Sequence, residues 1–131
     1  MTTLLVVEDD ATHRAVVCRM LERRGYAIEE ASNGQLALDI LRNAARRPEL
    51  IILDLRMPVM SGEELLQLLA SDEELAPIPV IVQSAHAPSP DASKWPPVVR
   101  WLQKPWDPDA LLASILELLE ARQEHAGRCR R

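Results

Sequence analysis

Two short apolar runs, each ending abruptly in acidic residues, constrain this chain more than any other feature. Leu4 to Val7 runs into Glu8-Asp9-Asp10, and Leu50 to Leu53 runs into Asp54. An apolar run without polar alternation reads as a strand buried on both faces, the habit of parallel sheets covered by helices. The same geometry places the acids at the carboxyl ends of two strands.

The rest of the chain continues the alternation. Val16, Val17, Met20 and Leu21 recur at helical spacing up to Gly25, a good helix stop, and Asp10 just before Ala11 suits an N-cap better than a ligand. Tyr26 to Ala31 is a weaker strand, and Leu36, Ala37, Ile40, Leu41 and Ala44 form a second helical stripe. After Asp54 come a loop with Pro58 and Gly62, a helix carrying Leu65, Leu66, Leu68 and Leu69, and a strand at Val80 to Val82. A fifth strand at Val99 to Leu102 precedes Lys104-Pro105, and Leu111, Leu112, Ile115, Leu116, Leu118 and Leu119 stripe a last helix.

Right-handed crossovers of this length return each strand to one parallel sheet, which predicts an α/β doubly wound fold with five strands. The irregular stretch is residues 85–98. Pro88, Pro90, Pro96 and Pro97 leave room there for one or two helical turns rather than a full helix. Residues 1–122 are expected to form one domain and 123–131 a polar, flexible tail.

Composition excludes several functions. A net charge of −5, with 15 Lys and Arg scattered rather than clustered, provides no basic footprint, so direct binding to nucleic acid is not expected. The N-terminus has neither a basic segment with a long apolar stretch nor a run able to span a bilayer, which predicts a cytoplasmic protein without membrane insertion. Cys18 and Cys129 have neither disulfide nor zinc spacing and read as two reduced thiols.

Ligands of open parallel sheets bind beyond the carboxyl ends of the strands. Glu8, Asp9, Asp54, Ser84 and Lys104 all fall on that edge. Clustered carboxylates repel one another unless a cation sits among them, and oxygen-only ligation favours Mg²⁺, or Mn²⁺, over zinc. A carboxylate can also attack phosphorus, and the acyl phosphate formed needs its charge neutralised. Lys104 offers an ammonium for that task and Ser84 a hydroxyl donor. Taken singly, each of these residues is as well explained as a helix cap or a solvated strand end.

Taken in order, Val7-Glu8-Asp9-Asp10 with Arg14, Leu53-Asp54-Leu55-Arg56-Met57-Pro58 with Met60 and Gly62, Ser84-Ala85 and Lys104-Pro105 resemble the response-regulator receiver family. The resemblance covers about residues 3–120 and implies a flavodoxin-like sheet of order 2-1-3-4-5. It implies that Asp54 accepts a phosphoryl group from a sensor histidine kinase or a histidine phosphotransfer protein. Asp9, Glu8, Asp54 and the backbone carbonyl of Arg56 would hold Mg²⁺, Ser84 would close on the phosphoryl group, and Lys104 would pair with its oxygens. A cis Lys104-Pro105 bond is expected with it.

Trp101 stands at the family's switch-aromatic position, where Tyr or Phe is usual, and two readings stay open for it: a switching ring or a core aromatic. Trp106 reads as packing. Arg56 and His86 border the site and either tune the lifetime of the acyl phosphate or are simply solvated. The expected partners are the phosphoryl donor and a downstream protein, with the chain a monomer or weak dimer. Two rivals remain. Phosphatases with an Asp nucleophile carry a second acid two positions later, where this chain has Arg56. A pseudo-receiver used only for docking would be expected to lose the acceptor, the metal acids or the lysine, and all are present.

Overall fold

A computed structural model describes residues 2–43, 45, 47–54, 62–84, 99–103 and 107–129, with the backbone alone described for 99, 103 and 122–129. The described residues form strands β1 (Thr3–Val7), β2 (Ala27–Ala31), β3 (Leu50–Asp54), β4 (Val80–Ser84) and β5 (Val99–Gln103) and helices α1 (Ala11–Glu22), α2 (Gly34–Leu41), α3 (Gly62–Ala70) and α4 (Pro108–Cys129). All strand pairings are parallel, and the order is β2-β1-β3-β4-β5, the flavodoxin-like arrangement expected. The short fourth helix expected at 85–98 lies outside the described residues.

Local chemistry sets the helix ends. The Asp10 carboxylate accepts from the backbone N–H of Thr12 at 2.9 Å and of His13 at 3.2 Å, satisfying two donors that have no partner within α1. Gly25, at φ 92°, then turns the chain from α1 toward β2; a side chain would meet nothing within 4 Å there, so the backbone angle is what demands glycine. Asn33 caps α2 through Leu36 N–H at 2.9 Å. Glu63 and Glu64 sit in the first turn of α3, where the helix dipole favours negative charge. Pro108 occupies the first turn of α4, where its missing N–H costs nothing.

Strand alternation divides the core in two. Leu5, Val7, Ile51, Leu53, Val80 and Val82 pack under α2 and α3, joined by Leu75 and Ile78. Leu4, Val6, Leu50, Ile52 and Ile81 pack on the opposite face under Val17, Cys18 and Leu21 of α1 and Leu111, Ile115 and Leu118 of α4. The central runs are almost wholly excluded from water, as their unbroken apolar character predicts.

Val16, Leu36, Leu68 and Leu116 belong to the apolar patterns that mark their helices and are 63%, 46%, 39% and 54% exposed. The contact of a helix with a sheet is narrower than an apolar stripe, so residues on its flank stay in solvent. The last helix runs from Pro108 to Cys129, past residue 122. Gln123, Glu124, Ala126 and Arg128 in that extension have high intrinsic helix propensity.

Candidate functional site

The chain leaves β1 for β2 on one side and β3 for β4 on the other, so its connections part between the two neighbouring central strands. A crevice at the carboxyl ends is the consequence. Val7 is the partner of Leu53, which sets Glu8 and Asp54 level on adjacent strands. Carboxylate oxygens of Glu8, Asp9 and Asp54 lie within 4.8 Å of one another. Glu8 and Asp54 are buried at 2% and 7% exposure, whereas Asp9 faces solvent.

Two anions on the inside and one on the rim suit a hard divalent cation that enters from water. The donor set is all oxygen, which fits Mg²⁺ or Mn²⁺ and disfavours a softer metal. Repulsion among three carboxylates this close would otherwise work against the fold.

Ser84, buried, ends β4 one residue beyond Gln83, the partner of Asp54. By strand alternation Ser84 follows Val80 and Val82 on the α2–α3 face, while Asp54 follows Ile52 on the α1–α4 face. Trp101 is the partner of Val82 and packs, half-buried, against the α2–α3 core. Its indole Nε1 is buried and has no hydrogen-bond partner among the described residues. Trp101 thus packs on the same face of the sheet as Ser84. Gln103 is the partner of Ser84, and Lys104 is the next residue in the sequence. Lys104, Arg56, His86 and Trp106 lie outside the described residues, as does the Lys104-Pro105 bond.

Sequence reasoning missed one polar assembly beside the acids. The Arg14 guanidinium donates through Nη1 to the Glu8 carbonyl at 2.6 Å and through Nε to the Glu30 carboxylate at 3.2 Å. Glu30 also lies beside Cys18, whose thiol is pushed up to about 12, first by burial and then by the charge of Glu30 and a hydrogen bond to it. At that value the thiol stays protonated and serves as a donor rather than a nucleophile. Arg14 was legible only as part of a motif. Nothing in the spacing announced Glu30, because sheet pairing, with Glu30 the partner of Val6, is what brings it near.

A crevice where the connections of two neighbouring parallel strands part, three acids at it and a buried serine on the next strand define a receiver-type signalling domain. The response regulator receiver domain pattern matches residues 4–116, and the chain belongs to that family. It is 35% identical over 92 residues to the polar-differentiation response regulator DivK of Brucella anthropi, covering 70% of this chain and 73% of that protein. It is 34% identical over 119 residues to the phosphate regulon transcriptional regulatory protein PhoB of Pseudomonas aeruginosa. That match covers 89% of this chain and 51% of PhoB, so the chain spans about half of that relative's length. The solved structure of response regulator TrrA from Thermotoga maritima, in complex with Mg²⁺–BeF, superposes with a TM-score of 0.77 at 28% identity, covering 90% of this chain and 99% of TrrA. Among the described residues no helix is long and apolar enough to cross a membrane.

Proposed function

We propose that this receiver domain is a cytoplasmic, phosphorylation-controlled switch and that Asp54 is its phosphate acceptor. The observation that carries the reading is the gathering of the Glu8, Asp9 and Asp54 carboxylates within 4.8 Å at the switch point of the sheet. A purely structural strand end has no use for three mutually repelling acids.

In the proposed reaction an Asp54 carboxylate oxygen attacks the phosphorus of a phosphohistidine on the donor protein. An O–P bond forms, the N–P bond breaks, and the imidazole nitrogen leaves with the electron pair. Glu8, Asp9, Asp54 and the Arg56 backbone carbonyl would hold Mg²⁺, which supplies positive charge to the phosphoryl oxygens when bound. Burial of Glu8 and Asp54 keeps the acids in a water-poor setting, where charge interactions are strong. Lys104 pairs with the phosphoryl group from the end of β5, and the Ser84 hydroxyl donates to it from β4. The solved complex of TrrA with Mg²⁺–BeF supports assigning the same chemistry to this fold.

The donor would be a sensor histidine kinase or a phosphotransfer protein, and the product would be read by a downstream protein rather than turned over as a small-molecule substrate. The outer side of α1, whose first turn follows the Glu8-Asp9 loop, offers Val16 and Arg19 to a partner, with Arg23 just past its end. Incubation with acetyl phosphate and Mg²⁺, followed by intact-mass measurement, should yield a single phosphoryl adduct. Asp54→Asn or excess EDTA should abolish it. Absence of an adduct on the wild-type chain would favour a docking-only receiver.

A further inference from the structure

Two of the three crevice carboxylates, Glu8 and Asp9, stand on a loop that the Arg14 side chain helps to fasten. Glu8 and Asp9 lie between β1 and α1, and the backbone there is held at two points: Glu8 N–H donates to the Ala31 carbonyl at 3.0 Å, and the Glu8 carbonyl accepts from Arg14 Nη1 at 2.6 Å. Arg14 N–H in turn donates to the Asp10 carbonyl at 2.9 Å, so residues 8–14 close into a compact turn around the cap. The second arm of the guanidinium, Nε, is engaged by Glu30 at the end of β2. With its side chain only 19% exposed, Arg14 bridges helix, loop and neighbouring strand rather than waving in solvent.

We propose that Arg14 is a positioning residue for the divalent-cation site: it holds the Glu8 peptide against β2 so that the Glu8 and Asp9 carboxylates converge with Asp54 before the ion arrives. The inference rests on the metal reading given above and extends it to a residue that touches neither ion nor phosphoryl group. Holding two acceptors on different elements with one planar fork is a task for arginine, since an ammonium is a point charge without fixed donor directions. The protonated Cys18 thiol beside Glu30 adds a second donor to that carboxylate and helps hold it toward Arg14.

Electrostatics and positioning predict opposite signs, which makes the idea testable. Arg14 is a cation near an acidic cluster, so its charge alone opposes a second cation; removing it should tighten Mg²⁺ binding if charge is all that matters. If Arg14 preorganises the ligands, removing it should weaken binding, by about tenfold for the loss of a supporting hydrogen bond behind a metal ligand.

The experiment titrates Mg²⁺ by calorimetry into the unphosphorylated full chain, as wild type, Arg14→Met and Arg14→Lys, with Arg42→Met as an exposed-charge control after α2. Urea unfolding without Mg²⁺ accompanies each titration. Weaker Mg²⁺ binding in Arg14→Met supports the proposal, as does a smaller but clear weakening in Arg14→Lys, which keeps the charge and loses the fork. Arg14→Lys carries the test alone if Arg14→Met fails to fold. Unchanged or tighter binding in Arg14→Lys overturns the proposal, even where the unfolding midpoint falls, because that pattern is one of structure only. A wild-type chain that shows no saturable Mg²⁺ binding overturns the metal reading itself, and this inference with it.

Discussion

The middle of the sheet and its margins are built on different terms. In β1 and β3, neighbours at the centre, Leu4 to Val7 and Leu50 to Leu53 are apolar and sealed from water, and the strands deliver Glu8, Asp9 and Asp54 from their carboxyl ends. β2 and β5, the edge strands, are only partly buried: Ile28, Glu29, Arg100, Trp101 and Leu102 all keep some contact with solvent. Charge enters the fold at those margins, through Glu30 with Arg14 and through the ion pair of Arg100 with Glu117. The central strands therefore fix where the acids stand, and the edges carry the adjustable polar contacts around them. A switch needs both, a rigid place for chemistry and a border whose contacts can be exchanged at low cost.

The largest expected effect comes from making the same cut in both regions. Ile52 and Ile28 pack into the same core cluster, Ile52 fully buried on central β3 and Ile28 half-buried on edge β2. Ile52→Ala should cost roughly 2–5 kcal/mol. Ile28→Ala should cost about half of that, since less of its surface leaves water on folding. Urea midpoints measure both, and equal losses would break the distinction between centre and margin.

A smaller effect sharpens the role of the β2 edge. The unfolded Cys18 thiol should lose its proton near its ordinary value of 9.0, and the folded one near 12. Stability tied to the buried protonated thiol is therefore whole below pH 9.0 and drains away as the pH climbs toward 12. Cys18→Ser keeps a donor for Glu30 without titrating in this window, so its alkaline stability curve should fall less steeply than that of the wild type. Parallel curves would remove Cys18 from the account of that edge.

The smallest effect belongs to β5. Arg100 and Glu117 are 42% and 60% exposed, so the Arg100→Ala change should cost less than about 1 kcal/mol. Raising salt in the unfolding buffer should shrink even that difference. A loss comparable to that of Ile28→Ala would mean that the two margins are not alike.

Much of this architecture was legible in advance because the decisive pattern is local. Unbroken apolar runs such as Leu4 to Val7 have one stable solution in a chain of this length, strands buried on both faces, and the helices between them force the strands to be parallel. The cap at Asp10 and the stop at Gly25 were equally local, each following from the geometry of one or two peptide units. What could not be read is what depends on the width of a contact. Val16 and Leu116 carry the same side-chain chemistry as Val17 and Ile115, and only the angle at which each helix meets the sheet leaves the first pair in water and the second in the core. Residues beyond 122 carry no apolar stripe to count, so their sequence does not announce a helix.

By itself, then, the sequence determined which acids sit at the ends of which strands, because side chains at the end of a buried run have nowhere to go but the carboxyl edge of the sheet. It determined the receiver class as well, since the order Glu8-Asp9, Asp54, Ser84, Lys104 is a one-dimensional pattern. Tertiary structure alone decided that those acids converge within 4.8 Å and that Arg14 ties their loop to Glu30. Both depend on strand register, Val7 with Leu53 and Val6 with Glu30. Register is a long-range choice, set by how whole faces pack.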